Sequence, residues 1–206
     1  MGDKDGALVA QLVDQGIQRD LLEDALELDG VMLAWRIKLR RRKLGQRALR
    51  EIGLPIDLSH LDVLMAIHSP IARCDTDEVM VSTIASRLYI DPSRASRMVT
   101  ELLRMGLVER SVSQRDARRS VVTLSEAGEA AVAAVRKFKY IVLSDFLSGW
   151  TREEIDTFKP LFQRFSHWTE VEDEIEDPAI QAYTDRVRTE LQAKLPGAGG
   201  ASGAEA

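Results

Sequence analysis

The chain has 206 residues, of which 45% are hydrophobic and 30% are charged, with a formal net charge of -5. This composition is typical of a globular protein with one substantial core or two small domains. No segment approaches the roughly 18 consecutive apolar residues of a membrane helix, and the first residues lack the order of a signal peptide, so we expect a cytoplasmic protein. The single cysteine, Cys74, excludes an internal disulfide and a thiolate zinc cage.

The positive charge is concentrated in the middle of the chain. Residues 81–124 hold eight arginines against four acidic residues, whereas residues 145–190 hold twelve acidic residues against five basic ones. A whole-chain charge says nothing about where the charges lie, so the acidic total does not exclude a nucleic-acid partner. We interpret the central segment as a surface for a polyanion and the acidic segment as a surface with another purpose.

The first predicted elements are helices. Leu28, Met32, Trp35 and Leu39 recur at spacings of three and four, which predicts one stripe of a long helix. The same helix is expected to continue to Arg50 with a basic second half, after a shorter helical segment over roughly residues 7–27. The basic half is either a solvated face or a surface that pairs with acidic helices or approaches phosphates.

The next three predicted helices have clear start and stop signals. Asp57 is a good N-cap for a helix that ends before Pro70, and residues 82–89 form a short helix with an abrupt end. In the segment IDPSRASRMVTELLRMG, Asp91 and Pro92 mark a helix start and Gly106 a left-handed stop, which predicts a helix over 92–104. One stripe of this helix is apolar and faces inward, formed by Ala95, Met98, Val99 and Leu102.

A β-hairpin with a basic tip is predicted after this helix. LVERSVS (107–113) and SVVTLS (120–125) are β-branched stretches, and QRDARR joins them as a loop too long for a two-residue turn. Ser125 is expected to cap the following helix, and the capping box TREE (151–154) opens another. The tail from residue 196 is low-complexity and is predicted to be disordered.

This order of elements is that of a winged helix-turn-helix. A major groove about 12 Å wide accepts one helix, and arginine at a loop tip suits the narrow and strongly negative minor groove. Residues 90–128 resemble the MarR-type transcriptional regulators in three motifs. These are the GLVER strand, the Asp-x-Arg wing motif at Asp116 to Arg118, and the motif from Val122 to Gly128 that ends the wing and begins the next helix.

The resemblance implies a mainly α fold, a winged helix-turn-helix with a small β-hairpin wing and a helical dimerisation region made from both chain ends. The N-terminal helices (1–52) and the C-terminal helices (125–195) are then the dimerisation region. The DNA-binding domain is expected over residues 53–124, and 196–206 form the tail.

The resemblance further implies a homodimer that reads a palindromic duplex, with half-sites about 34 Å apart. A basic first region and acidic terminal helices complement each other across a two-fold axis. Family members commonly repress genes and release DNA when a small, often aromatic and anionic, effector binds. No cofactor is implied. Repression is the expected outcome of DNA binding, and activation is the alternative.

The DNA contacts that the resemblance implies lie on the predicted 92–104 helix and on the wing: Ser93, Arg94, Arg97, Thr100, Arg115, Arg118 and Arg119. Asp116 either orients a wing arginine through a charge-assisted hydrogen bond or serves as a turn former. An effector pocket is expected where the first helix, the Asp57 helix and the 92–104 helix converge. Its candidate side chains are Trp35, Arg36, His60, Asp62 and His68, although a tryptophan on an apolar stripe is more often a core residue.

Four other interpretations concern a redox sensor, a metal site, an enzyme and a winged helix that contacts protein. Cys74 beside Arg73 is a candidate redox sensor, although Asp75 and Asp77 oppose the thiolate. A metal site is not expected, because no histidine pair has a ligand spacing on one helix. An enzyme is not expected either, since the chain has no phosphate-binding glycine loop after a strand and no nucleophile motif. A winged helix used for protein contact without DNA binding is the remaining alternative.

Overall fold

The structure is a computed structural model, and it describes residues 3–68, 78–113, 116, 118–169 and 178–195. The chain forms two compact units, residues 1–145 and residues 146–206. The described part is mainly helical with one two-stranded antiparallel sheet, which confirms the predicted fold class. No helix among these residues is long and apolar enough to cross a membrane.

Three helices open the first unit, and their limits differ from the prediction. They are α1 (Asp3–Asp14), α2 (Arg19–Arg40) and α3 (Lys43–Glu51). The predicted long helix through Arg50 is wrong, because Arg42 adopts a left-handed conformation with φ of 50° and separates α2 from α3. Its guanidinium donates to Asp62 at 2.5 Å and to the carbonyl of Leu58 at 3.4 Å, so distant contacts hold this break in place.

No residue of helix α2 is fully buried. Within the predicted stripe, Leu28, Trp35 and Leu39 are 50%, 51% and 56% exposed. A helix of this kind derives little stability from its own propensity, and most helices are stabilised by packing of an apolar face. The stripe therefore needs a surface that covers it.

The centre of the first unit is a helical core covered by the hairpin. Helices α4 (Leu58–His68), α5 (Val81–Leu88) and α6 (Pro92–Arg104) pack on one another. Their fully buried side chains include Val63, Leu64, Ile84, Val99 and Leu102, each with no exposed surface. Burial of one such side chain contributes about 1.5 to 3 kcal/mol. This core sets the angle at which α6 presents its outer face.

The predicted limits of α6 are confirmed. The carboxylate of Asp91 accepts the Arg94 backbone N–H at 2.8 Å and the Ser93 hydroxyl at 2.6 Å, and Pro92 occupies the first turn. The hydrogen bond from Ser93 contributes most to holding the pKa of Asp91 below its usual range, and the hydrogen bond from the Arg94 backbone contributes next. Gly106 ends the segment with a positive φ of 71°.

The wing is the predicted antiparallel hairpin. Strands β1 (Val108–Val112) and β2 (Ser120–Leu124) pair with Val108 opposite Leu124. The N–H of Val122 donates to the carbonyl of Val79 at 2.7 Å, which ties the hairpin to the residues that precede α5. Helix α7 (Glu126–Leu147) follows, and Ser125 caps it by accepting the Gly128 N–H at 3.1 Å.

The second unit is helical. It contains α8 (Arg152–Ser166), a short 3-10 helix (His167–Thr169) and α9 (Pro178–Lys194). The predicted capping box is present, since Thr151 Oγ1 accepts the Glu154 N–H and the Glu154 carboxylate accepts the Thr151 N–H. The described residues of α8 and α9 include no buried residue, and aromatic side chains such as Phe158 and Phe162 remain about half exposed at 45% and 43%.

Candidate nucleic-acid interface

The outer face of α6 begins with three exposed polar residues. Ser93, Arg94 and Arg97 are exposed, because the opposite stripe of the helix is occupied by the buried core residues. Thr100 lies one turn further on and is half-buried, and its hydroxyl donates to the Ser96 carbonyl at 2.8 Å. The N-terminal half of α6 is therefore the part that can reach a groove, with two guanidinium groups available for phosphate or base edges.

A groove of about 240 Å³ lies between the start of α4 and α6. His60 is buried at its base, with Nε2 2.8 Å from a Glu101 carboxylate oxygen and Nδ1 3.1 Å from Asp57 Oδ1, the latter without hydrogen-bond alignment. The His60 backbone N–H donates to Asp57 and lowers the pKa of that carboxyl. The imidazole thus joins α6 to the first turn of α4. The groove is lined by Asp57, Ser59, His60, Arg94, Arg97, Met98 and Glu101.

The wing tip contains the arginine pairing that the sequence predicts. The Asp116 carboxylate lies 3.2 Å from Arg119 Nε and accepts the Arg118 backbone N–H at 3.0 Å. The Asp116 N–H in turn donates to Ser113 Oγ at 3.0 Å, and the buried Ser113 hydroxyl donates to Glu78 at 2.5 Å. The side chains of Arg118 and Arg119 are exposed, so the tip presents two cations, of which the Arg119 guanidinium is oriented by Asp116. The third predicted wing contact, Arg115, lies outside the described residues.

Two features of this face were missed by sequence reasoning. The Glu78–Ser113 hydrogen bond joins residues 35 positions apart, a contact for which the sequence carries no local signal. The other is Tyr89, which ends α5 in a left-handed conformation with φ of 52° and is 96% exposed. A residue with a side chain pays about 1 to 2 kcal/mol for this conformation, and glycine avoids the penalty. The abrupt end of α5 without glycine or asparagine was the available signal.

The five predicted effector residues lie on two helices, Trp35 and Arg36 on α2 and the other three on α4. Trp35 and Arg36 lie on the exposed surface of α2, whereas His60 lies beneath α6. Asp62 is paired with Arg42, and His68 accepts a hydrogen bond from Arg136 Nη1 at 2.8 Å.

A larger groove occurs elsewhere in the first unit, between α3 and the start of α4. It has a volume of about 580 Å³, and Arg50 supplies its positive charge beside apolar walls. This volume is in the range of small-molecule sites, which run from about 300 to 1,000 Å³. The groove is lined by Gln46, Leu49, Arg50, Leu54, Ile56, Asp57, Leu58 and Ser59.

Cys74 lies outside the described residues. Within the described ranges, no group of three or more histidine, cysteine, aspartate or glutamate side chains is arranged to hold a metal ion.

Comparison with known proteins identifies the same region. Residues 75–120 match the model of the MarR family. An uncharacterised HTH-type transcriptional regulator of Mycobacterium bovis is 27% identical over 114 residues, which are 55% of this chain and 76% of that protein.

Solved structures agree in fold. A MarR family protein from Bacillus stearothermophilus superimposes with a TM-score of 0.59 at 21% identity, covering 72% of this chain and 97% of that one. A MarR family transcription regulator covers 85% of this chain and 99% of its own, with a TM-score of 0.55 and 19% identity. At these identities the structural likeness establishes the winged-helix fold.

Proposed function

We propose that the chain is a MarR-type transcriptional regulator that binds a palindromic duplex operator as a homodimer, represses the adjoining genes and releases DNA when a small aromatic anion binds. The match of residues 75–120 to the MarR family model supports this proposal. Members of this family are regulators and not enzymes. The observation that carries the proposal is the placement of exposed arginines on two neighbouring elements, the start of α6 and the tip of the wing. In such an arrangement the helix enters one DNA groove and the loop contacts the adjacent groove.

The start of α6 carries side chains that can bind DNA bases and phosphates. Arg94 and Arg97 can pair bidentately with guanine or with phosphate, and Ser93 is small enough to permit close approach. The capping bonds of Asp91 fix the direction of this helix end. Because capping and the buried stripe restrain the backbone, less conformational entropy is lost when DNA binds.

The wing contribution depends on orientation. Asp116 holds Arg119 through its carboxylate and the Arg118 backbone through a hydrogen bond, so the tip is shaped before DNA arrives. We assign Arg118 and Arg119 to the wing contact, with Arg115 as a third candidate on sequence grounds. Each arginine that neutralises a phosphate adds about 0.9 to the slope of log affinity against log salt.

A second copy of the chain is the proposed cover for the exposed apolar surface of α2. Large exposed apolar patches on a soluble protein mark interaction surfaces, and a two-fold dimer uses the same patch twice. The exposed aromatic residues of α8 offer a further apolar surface within the second unit. We therefore assign residues 1–52 and 125–195 to dimerisation and residues 53–124 to DNA binding.

The effector is proposed to bind in the groove beside Arg50. A guanidinium next to apolar walls suits an aromatic carboxylate, which needs one charge partner and one flat apolar contact. The loop and α4 start that line this groove also carry Asp57, which hydrogen-bonds to His60 beneath α6. A ligand in this groove would therefore be connected to the DNA-binding helix α6 through Asp57 and His60. We propose repression because it is common among MarR-type regulators.

The test is fluorescence anisotropy with a duplex from upstream of the gene and a shuffled duplex, at two salt concentrations. The wild-type protein should bind the native duplex about a thousandfold or more tightly than the shuffled one. The Arg118→Gln/Arg119→Gln variant should bind more weakly, with a salt slope lower by about 1.8.

A matched control is Arg152→Gln/Arg188→Gln, which removes the same charge from exposed positions in the second unit. It should leave the slope unchanged. Equal, weak binding to both duplexes would contradict the operator proposal and favour a winged helix that contacts protein. A wing variant with the wild-type slope would contradict the wing assignment alone.

A further inference from the structure

We propose that Tyr89 is a DNA contact, with its phenol packed at the edge of the groove that α6 enters and its hydroxyl donating a hydrogen bond to a backbone phosphate. The inference rests on the DNA binding proposed above. It assigns a specific role to a residue whose side chain the fold itself does not explain.

The side chain of Tyr89 makes little contact within the protein. It is 96% exposed, the highest value among the large apolar and aromatic side chains that the structure describes. The next residue, Ile90, is half-buried and packs against the main core, so the chain turns inward directly after the tyrosine. Packing therefore does not account for an aromatic ring at this position.

The backbone at Tyr89 does not need a tyrosine either. Its φ of 52° and ψ of 45° place it in the left-handed region, where the common residue at a helix end is glycine or asparagine. The hydrogen bonds that close α5 run from the Tyr89 N–H to the carbonyls of Ala85 and Ser86. Any residue except proline can make them, and glycine makes them with less strain. Strain retained at an exposed residue is characteristic of functional positions.

The location of Tyr89 places it beside the proposed DNA surface. It precedes the α6 cap, Asp91, by two residues, and all residues from Asp91 to Arg94 are exposed. In helix-turn-helix proteins the N-terminal residues of the second helix contact base edges. Four residues of chain reach at most about 14 Å, and the major groove is about 12 Å wide. With Ser93 in the groove, a phosphate at its edge is within reach of Tyr89.

The chemistry of a phenol gives this contact a distinctive signature. Tyrosine hydroxyls are among the groups that contact DNA phosphates, and they position a protein without reading sequence. A neutral hydroxyl displaces no counterion, so its loss should lower affinity without changing the salt slope. An arginine contact changes both quantities. The salt dependence therefore separates the two kinds of contact.

The experiment compares Tyr89→Phe and Tyr89→Gly with the full-length wild-type chain on a duplex that the wild type binds specifically. Tyr89→Phe should weaken binding about tenfold, as expected for a hydrogen bond to a charged group, and keep the salt slope. Tyr89→Gly should weaken binding at least as much while unfolding at a higher urea concentration, because the strain is removed. Tyr140→Phe, which alters an exposed tyrosine of α7, is the matched control and should bind as the wild type does.

The outcomes separate this inference from the function on which it rests. Wild-type affinity in both Tyr89 variants, with specific binding by the wild type, would overturn the inference alone. A weaker dimer of either variant in analytical ultracentrifugation would place Tyr89 at the protomer interface and also overturn it. A wild-type chain that prefers no duplex would overturn both proposals. Weaker binding at an unchanged slope and unchanged dimer stability supports the contact.

Discussion

Replacement of Gly128 by alanine should strongly destabilise the winged helix. Gly128 lies in the first turn of α7 and is buried where that helix meets the end of the hairpin. A Cβ atom at this position would lie 2.0 Å from the carbonyl oxygen of Leu107. Ordinary carbon-to-oxygen contacts are about 3.3 Å or longer, so the backbone must move by about 1.3 Å.

The loss of unfolding free energy depends on the hydrogen bonds and packing that resist this backbone movement. The Leu107 carbonyl accepts the Ser125 N–H at 3.2 Å, and the Ser125 hydroxyl donates to the Gly106 carbonyl at 2.6 Å. Overpacking costs about 1 to 3 kcal/mol, and loss of a hydrogen bond adds about 1 kcal/mol. Alanine recovers up to about 1 kcal/mol of helix propensity. We expect a net loss of about 1 to 3 kcal/mol, or roughly 2 to 12 °C in Tm for a chain of this size.

Urea unfolding followed by circular dichroism measures this loss, at one fixed protomer concentration because self-association shifts apparent stability. Gly6→Ala is the matched control, since nothing lies within 4 Å of a Cβ atom at that helical position. That variant should be neutral or more stable by up to about 1 kcal/mol. A Gly128→Ala protein that unfolds within about 0.5 kcal/mol of the wild type would refute the argument from close approach.

Three further predictions concern a helix cap, the dimer and the wing. Asp57→Ala should lower the free energy of unfolding by about 1 kcal/mol at pH 7. The His60 N–H lowers the folded-state pKa of Asp57, so the stabilisation by the Asp57 carboxylate is complete above pH 3.8 and is lost as the pH falls through the lowered pKa. Urea unfolding of the wild type and the Asp57→Ala variant at pH 7 and pH 3 checks this pH dependence. Leu28→Glu should shift the protein toward monomer in sedimentation velocity, and an unchanged dimer would remove α2 from the interface. Asp116→Ala should weaken specific DNA binding several-fold by freeing Arg119, with fold stability changed by less than about 1 kcal/mol because the pair is exposed. An unaltered affinity would make Asp116 a turn former only.

Local signals explain which parts of the fold could be predicted. The limits of α6 depend on Asp91, Pro92 and Gly106, whose conformational preferences act within a few residues. The hairpin follows in the same way from two β-branched stretches. The break between α2 and α3 was not predictable, because Arg42 is held in its left-handed conformation by Asp62 and by a backbone carbonyl 16 residues away.

In the candidate site, too, some features could be predicted from local sequence and others depend on distant contacts. The faces of α6 followed from helical periodicity, and the Asp116–Arg119 pair followed from charge proximity in the loop. The effector residues stay a prediction, because periodicity shows which residues share a face and not which helix packs against it. His60 illustrates this limit, since its neighbour Glu101 is 41 residues away.

Selection of duplexes from a random pool tests the central claim most directly, because it does not depend on where the operator lies. We expect the purified wild-type protein to enrich an inverted repeat whose half-sites are separated by about one helical turn, roughly 34 Å. The repeat should follow from two α6 helices related by a two-fold axis. A folded protein that enriches no sequence over several rounds at moderate salt would contradict the account of this chain as a dimeric operator-binding regulator.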